Sequence, residues 1–202
     1  LLAYGRRLRP HWVVNSSVQM ATMGYAIPGT VIAIGVMLPL AWIDNGVDAW
    51  LRAHWGINSG LLLSGTLFAL LLAYAVRFMA VATNTLESGL ARIRPSMDQA
   101  ARSLGRRPSE VIRQVHIPML RTSLLTALLL VFVDVLKELP ATLILRPFNF
   151  NTLAVRAFEL ASDERLAEAA APALLIVITG ILPVLLLART LKPAREAHHA
   201  DH

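Results

Sequence analysis

The stretch Asp98–Pro118, DQAARSLGRRPSEVIRQVHIP, decides the fold because it suits two unrelated kinds of protein. Taken alone it reads as a helix-turn-helix, with Ala101, Gly105 at the turn, Val111, and arginines scattered between. Taken in place it lies between two long apolar segments and reads as the cytoplasmic link of a membrane protein. The local chemistry is the same either way. Ser96 is a candidate N-cap, Asp98 falls in the first turn, and Gly105 stops the helix. Pro108 suits the first turn of a second helix, PSEVIRQVH, on which Val111, Ile112 and Val115 share a face. Pro118 then marks a break before the next apolar run.

Outward from this stretch the apolar residues come in blocks. Hydrophobic types make up 55% of the 202 residues and charged types 16%, whereas soluble domains carry roughly a quarter charged residues. Mean hydropathy is +0.56. Four segments, 18–43, 61–83, 120–145 and 171–187, approach the ~20 residues that ~30 Å of hydrocarbon requires. The first is free of charge until Asp44, and the second is interrupted once, by Arg77. Gly24, Pro28, Gly29, Gly35 and Pro39 would weaken a helix in water by roughly 1–3 kcal/mol each. In a membrane bundle small residues let helices approach, and neighbours re-satisfy a backbone interrupted by proline. The alternative, four buried helices of a large soluble protein, conflicts with segments this long and uncharged. The expected fold class is therefore all-α, a polytopic transmembrane helical bundle of four spans, with residues 84–119 linking the second and third.

The net charge of +6 would suit nucleic acid or an anionic membrane surface, so the placement of the charges must decide. Arg6, Arg7 and Arg9 precede the first span, and only Arg52 separates the first from the second. Arg92, Arg94, Arg102, Arg106, Arg107 and Arg113 fill the central link, with Arg121 at its edge. Beyond the third span, Arg146, Arg156 and Arg165 are outnumbered by Glu159, Asp163, Glu164 and Glu168; Arg189, Lys192 and Arg195 follow the fourth. This alternation puts both ends and the central link in the cytoplasm, and Asp44–Gly60 and Arg146–Ala170 outside. The positive charge is thus a topology signal. A DNA reader would also need a supporting core of its own, and Gln114 stands where such motifs want an apolar residue.

The residues of the link resemble a known family. QAARSLG followed by VHIP resembles the cytoplasmic EAA loop in permease subunits of binding-protein-dependent ABC importers. Gln99, Ala100, Ala101, Gly105, Val115, Ile117 and Pro118 fill a pattern of Glu-Ala-Ala, three residues, Gly, nine residues and Ile-x-Leu-Pro. Gln99 departs from the family's Glu, with Asp98 beside it. Lys137–Leu186 and Met23–Val36 look like the C-terminal half of iron(III)-type permeases, in which two such halves are often fused. The chain begins LLAYGRRLRP, without Met, and reads as an excerpt of a longer polypeptide. The resemblance implies a type I permease fold and a coupling helix seated in a groove of a cytoplasmic ATPase. The small Ala100 and Ala101 allow close approach, and Gly105 permits a costly turn conformation. The arginines can steer association with acidic groups. It further implies an extracytoplasmic solute-binding protein, a second permease half, and a multi-pass location in the bacterial cytoplasmic membrane among its lipids, with no nucleic acid partner.

Catalysis within this chain is not expected. No phosphate-binding Gly-x-x-x-x-Gly-Lys-Ser/Thr loop occurs, so ATP would be used by a separate subunit, and no cofactor is expected on this chain. There is no cysteine, hence no disulfide or thiolate metal site; His198, His199 and His202 read as a solvated tail. Charges inside spans are costly and therefore informative. Arg77 is expected to snorkel to the cytoplasmic interface. Asp134, Lys137 and Glu138 are candidates for an outer gate or translocation path, or for an interfacial pair that fixes helix depth; Asp134 and Lys137 lie about one helical turn apart. Pro140 can bend the helix end. Ferric iron is the substrate that the resemblance suggests, with thiamine or a phosphonate as alternatives. A secondary transporter would work without an ATPase.

Overall fold

The computed structural model describes residues 12–191, and every regular element among them is helical. Arg6, Arg7, Arg9, Lys192, Arg195 and the three tail histidines lie outside the described residues. The helices are α1 Trp12–Met23, α2 Gly29–Trp55, α3 Leu67–Ala91, α4 Pro95–Ser103 and α5 Pro108–Val111. A π-helical turn, Ile112–His116, leads into α6 Ile117–Met119; α7 Arg121–Leu136, α8 Pro140–Leu145, α9 Leu153–Ser162 and α10 Leu166–Leu191 follow. Two compact units result. One joins residues 12–25 to Phe78–Val131, and the other joins Ala26–Arg77 to residues 132–191.

Among the described residues three helices are long and apolar enough to cross a membrane: Gly29–Trp55, Leu67–Ala91 and Leu166–Leu185. The bent pair Ser109–Met119 and Arg121–Leu136 makes a fourth if it counts as one span; its two parts meet at 73°. The expected third span, 120–145, is therefore divided. Its main helix has 16 residues and rises about 24 Å at ~1.5 Å per residue, and residues 137–139 separate it from α8. Pro140 starts α8 rather than bending α7, consistent with its pre-set φ and missing N–H.

The other boundaries also differ from those expected, for reasons of hydrogen bonding. The first span does not run 18–43: residues 18–23 end α1, and the long helix starts at Gly29, where the Pro28 carbonyl accepts from Val31 and Ile32 N–H. That helix continues past Ile43 to Trp55, because Asp44 and Asp48 are bonded inward instead of entering a loop. Asp44 is 1% exposed, and its carboxylate accepts from Ser64 N–H at 2.7 Å, Ser64 Oγ at 2.6 Å and Leu63 N–H at 3.0 Å. Asp48 accepts from Ser59 N–H at 2.9 Å and pairs with Arg52 one turn on. The two carboxylates thus fasten 59–64 to α2, and α3 begins at Leu67, not Leu61. α3 runs on to Ala91, so the link starts later than residue 84. α10 begins at Leu166, well before residue 171.

In the second unit the core comprises Ile32, Ala33 and Leu40 of α2, Ala69, Leu70 and Ala73 of α3, and Ala141 and Leu145 of α8. The four alanines let backbones close in, the packing that membrane helices favour in place of hydrophobic drive. α9, capped by Thr152 on the Val155 N–H, packs against α10. α10 leaves Leu174, Ile178, Ile181 and Leu185 exposed, as a lipid-facing span should.

In the first unit Leu90, Ile93 and Leu120 gather with Ile112 beneath the link. Here α3 meets α7 at Gly89, where an added Cβ would lie 2.7 Å from the Ser123 Cβ. Gly89→Val should cost about 1–3 kcal/mol through overpacking. The expected outcome is a lower thermal midpoint in detergent and a reduced folded fraction, partly restored when Ser123→Gly is added.

Candidate functional site

The link is built by three local devices. α4 starts at Pro95, so Ser96 lies inside its first turn rather than capping it. Gly105 ends it with φ +78°, a left-handed conformation that glycine adopts without steric cost. Pro108 then opens α5. The helix expected to continue smoothly through PSEVIRQVH instead widens at Ile112–His116, where the Ile117 N–H bonds to the Ile112 carbonyl. Pro118 supplies the reason: it has no N–H for the carbonyl four residues back, and its ring crowds that carbonyl. A π turn relieves both faults, and such turns recur at functional sites. The expected break lies after Met119 rather than at Pro118.

One interaction closes the link on itself. His116 Nε2 lies 2.5 Å from Asp98 Oδ1, joining the π turn to the first turn of α4. His116 is 2% exposed. Asp98 therefore has a partner within the link. With Asp98 held on that side, Gln99, Ala100, Ser103 and Leu104 are exposed, and Leu104 reaches 81%. Ala101 and Val115 are half-buried, while Ile117 and Pro118 are exposed. Gln99, Ala100 and Ser103 thus give α4 an exposed, uncharged set of side chains, with the apolar Leu104 just past its end. A protein partner can lie close against such a face.

A second constellation lies in the other unit. Arg77 of α3 does not snorkel. Its Nε lies 3.0 Å from Glu138 Oε2, and its Nη1 donates to the Ile27 carbonyl at 3.0 Å. Glu138 Oε1 accepts from the Ala141 N–H at 3.2 Å, and its backbone carbonyl accepts from Thr142 Oγ1 at 2.6 Å. Thr142 Oγ1 in turn shares a 2.5 Å hydrogen bond with the Tyr74 hydroxyl. Asp134 and Lys137 pair as expected from their spacing, at 2.9 Å. The three expected gate residues separate into two sets: Lys137 is 63% exposed with Asp134 beside it, whereas Glu138 is 5% exposed and turned to Arg77. An apolar groove of about 350 Å³ between α7 and α10 runs beside Lys137, lined by Val133, Leu136, Ile176 and Ile181 among others. Its chemistry suits acyl chains or another helix better than an ion.

With both sites described, the comparison with known families is decisive. The family described as binding-protein-dependent transport system inner membrane component matches residues 1–196. The chain belongs to this family. Among curated relatives, this permease-family chain is 29% identical over 163 residues to the Fe(3+)-transport system permease protein FbpB 2 of Haemophilus influenzae, covering 81% of the chain and 29% of that protein. It is 28% identical over 167 residues to the putative 2-aminoethylphosphonate transport system permease protein PhnV of Salmonella typhimurium, covering 83% of the chain and 57% of PhnV. The chain thus spans less than a third of the first relative and a little over half of the second.

Sequence reasoning on this permease-family chain identified the turn glycine, Pro108 at the start of a helix and the Asp134–Lys137 pair. It missed the His116–Asp98 clamp and the partners of Glu138. The first carried a signal, a histidine in the VHIP segment facing an acidic first turn. The second carried none, since Ile27, Arg77 and Glu138 share no local pattern.

Proposed function

We propose that the chain is a membrane-spanning permease subunit of an ATP-driven importer, receiving its substrate from an extracytoplasmic binding protein. The observation that carries this reading is the outward face of α4. Gln99, Ala100 and Leu104 are exposed while Asp98 and His116 hold the helix from behind and Gly105 sets the turn. An exposed face on a short helix that is tied down from behind suits a partner that pushes on it, here a cytoplasmic ATPase. The arginines of the link support a cytoplasmic position for it by the positive-inside rule. A second permease half, fused or separate, completes the pathway, and residues 92–119 serve as the coupling element.

Ferric iron is the proposed substrate, on the strength of the similarity to the iron(III) permease; 2-aminoethylphosphonate is the alternative raised by PhnV. The binding protein does most of the selecting, so the spans need hold no tight ligand set. Among the described residues no group of three or more His, Cys, Asp or Glu side chains could hold a metal ion. Uptake by vesicles containing the full-length chain, its ATPase and its binding protein tests the assignment. ATP-dependent accumulation of ferric iron is expected, uncompeted by 2-aminoethylphosphonate; the reverse preference would replace iron with the phosphonate. Accumulation driven by an ion gradient without ATP would remove the importer reading altogether.

A further inference from the structure

Arg77 and Glu138 occupy a position that spacing along the chain gives no reason to expect. The Ile27 carbonyl precedes α2 and stands outside its hydrogen-bond ladder, which begins with the Pro28 carbonyl. The Ala141 N–H lies in the first turn of α8, where no intrahelical acceptor exists. Groups of both kinds are expensive to leave unmatched at membrane depth. The ion pair answers both at once: the guanidinium takes the carbonyl and the carboxylate takes the N–H, while the two charges satisfy each other. Gly29 leaves no slack beside them, since an added Cβ would stand 2.6 Å from Glu138 Oε1 and 3.0 Å from Arg77 Nη1. Ala141 and Thr142 are fully buried.

We propose that Arg77 is a positioning residue which, with Glu138, forms a permanent pin between the start of α2 and the start of α8, so that these two helix starts travel as one body through transport. A part that opened in every cycle would expose groups for water to take over. Here separation would strip two charges, a carbonyl and an N–H of their partners together. Glu138 therefore belongs to the frame around the pathway and is not its gate. The transport arm of this inference rests on the permease reading above; the pin itself does not.

These 202 residues contain no cysteine, so Ala141→Cys in the full-length protein, with any cysteine outside them replaced by serine, gives a single reporter of the pin. In membrane vesicles it is exposed to a charged, water-borne thiosulfonate reagent, with and without ATP and vanadate. Protection in both conditions is expected; an increase in labelling of about tenfold in either condition would show the pin opening and overturn the proposal. This readout needs no uptake, so a failed permease reading would appear separately, as absence of ATP-driven uptake by the unaltered chain. The second arm uses Arg77→Met and Glu138→Leu. Each alone should lower uptake by about tenfold and raise the ATP hydrolysed per substrate carried, a ratio that mere loss of folded protein would leave unchanged. The double variant Arg77→Met/Glu138→Leu should return both to within about threefold of the unaltered chain, because apolar groups of similar volume can replace a buried pair. A double variant that inserts normally yet transports no better than either single one would assign the charges to the pathway and contradict the pin.

Discussion

Gly105→Val is expected to lower ATP-driven uptake by roughly tenfold or more while the protein still inserts at normal abundance. Gly105 sits at φ +78° with nothing within 4 Å of an added Cβ, so the obstacle is the backbone and not crowding. An L-residue held in the left-handed region costs about 1–2 kcal/mol, and a β-branched one is a steric outlier there. The turn should escape that strain by unwinding, since no packing around residue 105 holds it in place. α4 would then lose its angle to α5, and the face carrying Gln99, Ala100 and Leu104 would no longer meet its partner squarely. Gly105→Asn, which tolerates the left-handed conformation, should retain most uptake. Uptake assays and quantitative immunoblots of membranes from the three strains check the order Gly, Asn, Val. Equal uptake by Gly105→Val would mean that the turn does not transmit force.

The second large effect is expected at the clamp. Asp98→Ala takes from the buried His116 the carboxylate 2.5 Å away, and His116→Ala takes from Asp98 the same contact. Removing one member of a buried polar pair costs about 1–3 kcal/mol. That is more than a short helix such as α4 can supply from its own propensity, since isolated helices below ~12–15 residues are marginal. Both single variants should therefore loosen the link and raise its protease sensitivity, with uptake falling by about tenfold. Asp98→Leu/His116→Phe, which replaces polar with apolar contact, should recover a substantial share of the protease resistance. A double-mutant cycle on the proteolysis rate gives the coupling directly. Additive single effects, with no coupling, would show that the pair does not hold the link together.

These two expectations come from different depths of the sequence. Gly105, Pro108 and Pro118 act through their own backbones, and that local chemistry is readable without a structure. The Asp134–Lys137 pair was equally readable, because helical spacing alone brings the two together. Asp44 and Asp48 misled for the same reason that the glycines informed. In sequence a carboxylate after an apolar run looks like the start of a loop, yet here both are turned inward to hold the N–H groups of residues 59–64. The π turn was half-legible: Pro118 announced a disturbance, but not that the preceding turn would widen to absorb it. Arg77 lies towards the cytoplasmic end of the expected second span, and that position alone suggests a charge that reaches for the interface. Glu138 and the Ile27 carbonyl reach it only through the tertiary fold, which periodicity does not encode.

The central claim is that the link between α3 and α7 is held from the cytoplasm by an ATPase. Its most direct test is a single cysteine at Leu104, which is 81% exposed, in a protein whose cysteines outside these cysteine-free 202 residues are replaced by serine. The full-length Leu104→Cys protein, purified with its ATPase in membranes, is treated with a short bifunctional thiol crosslinker; Trp42→Cys, exposed on α2 within a span, serves as control. The account predicts a crosslinked product between the permease chain and the ATPase for Leu104→Cys and none for Trp42→Cys. Labelling of Leu104→Cys from the extracytoplasmic side, or an ATPase that co-purifies without ever crosslinking there, would contradict it.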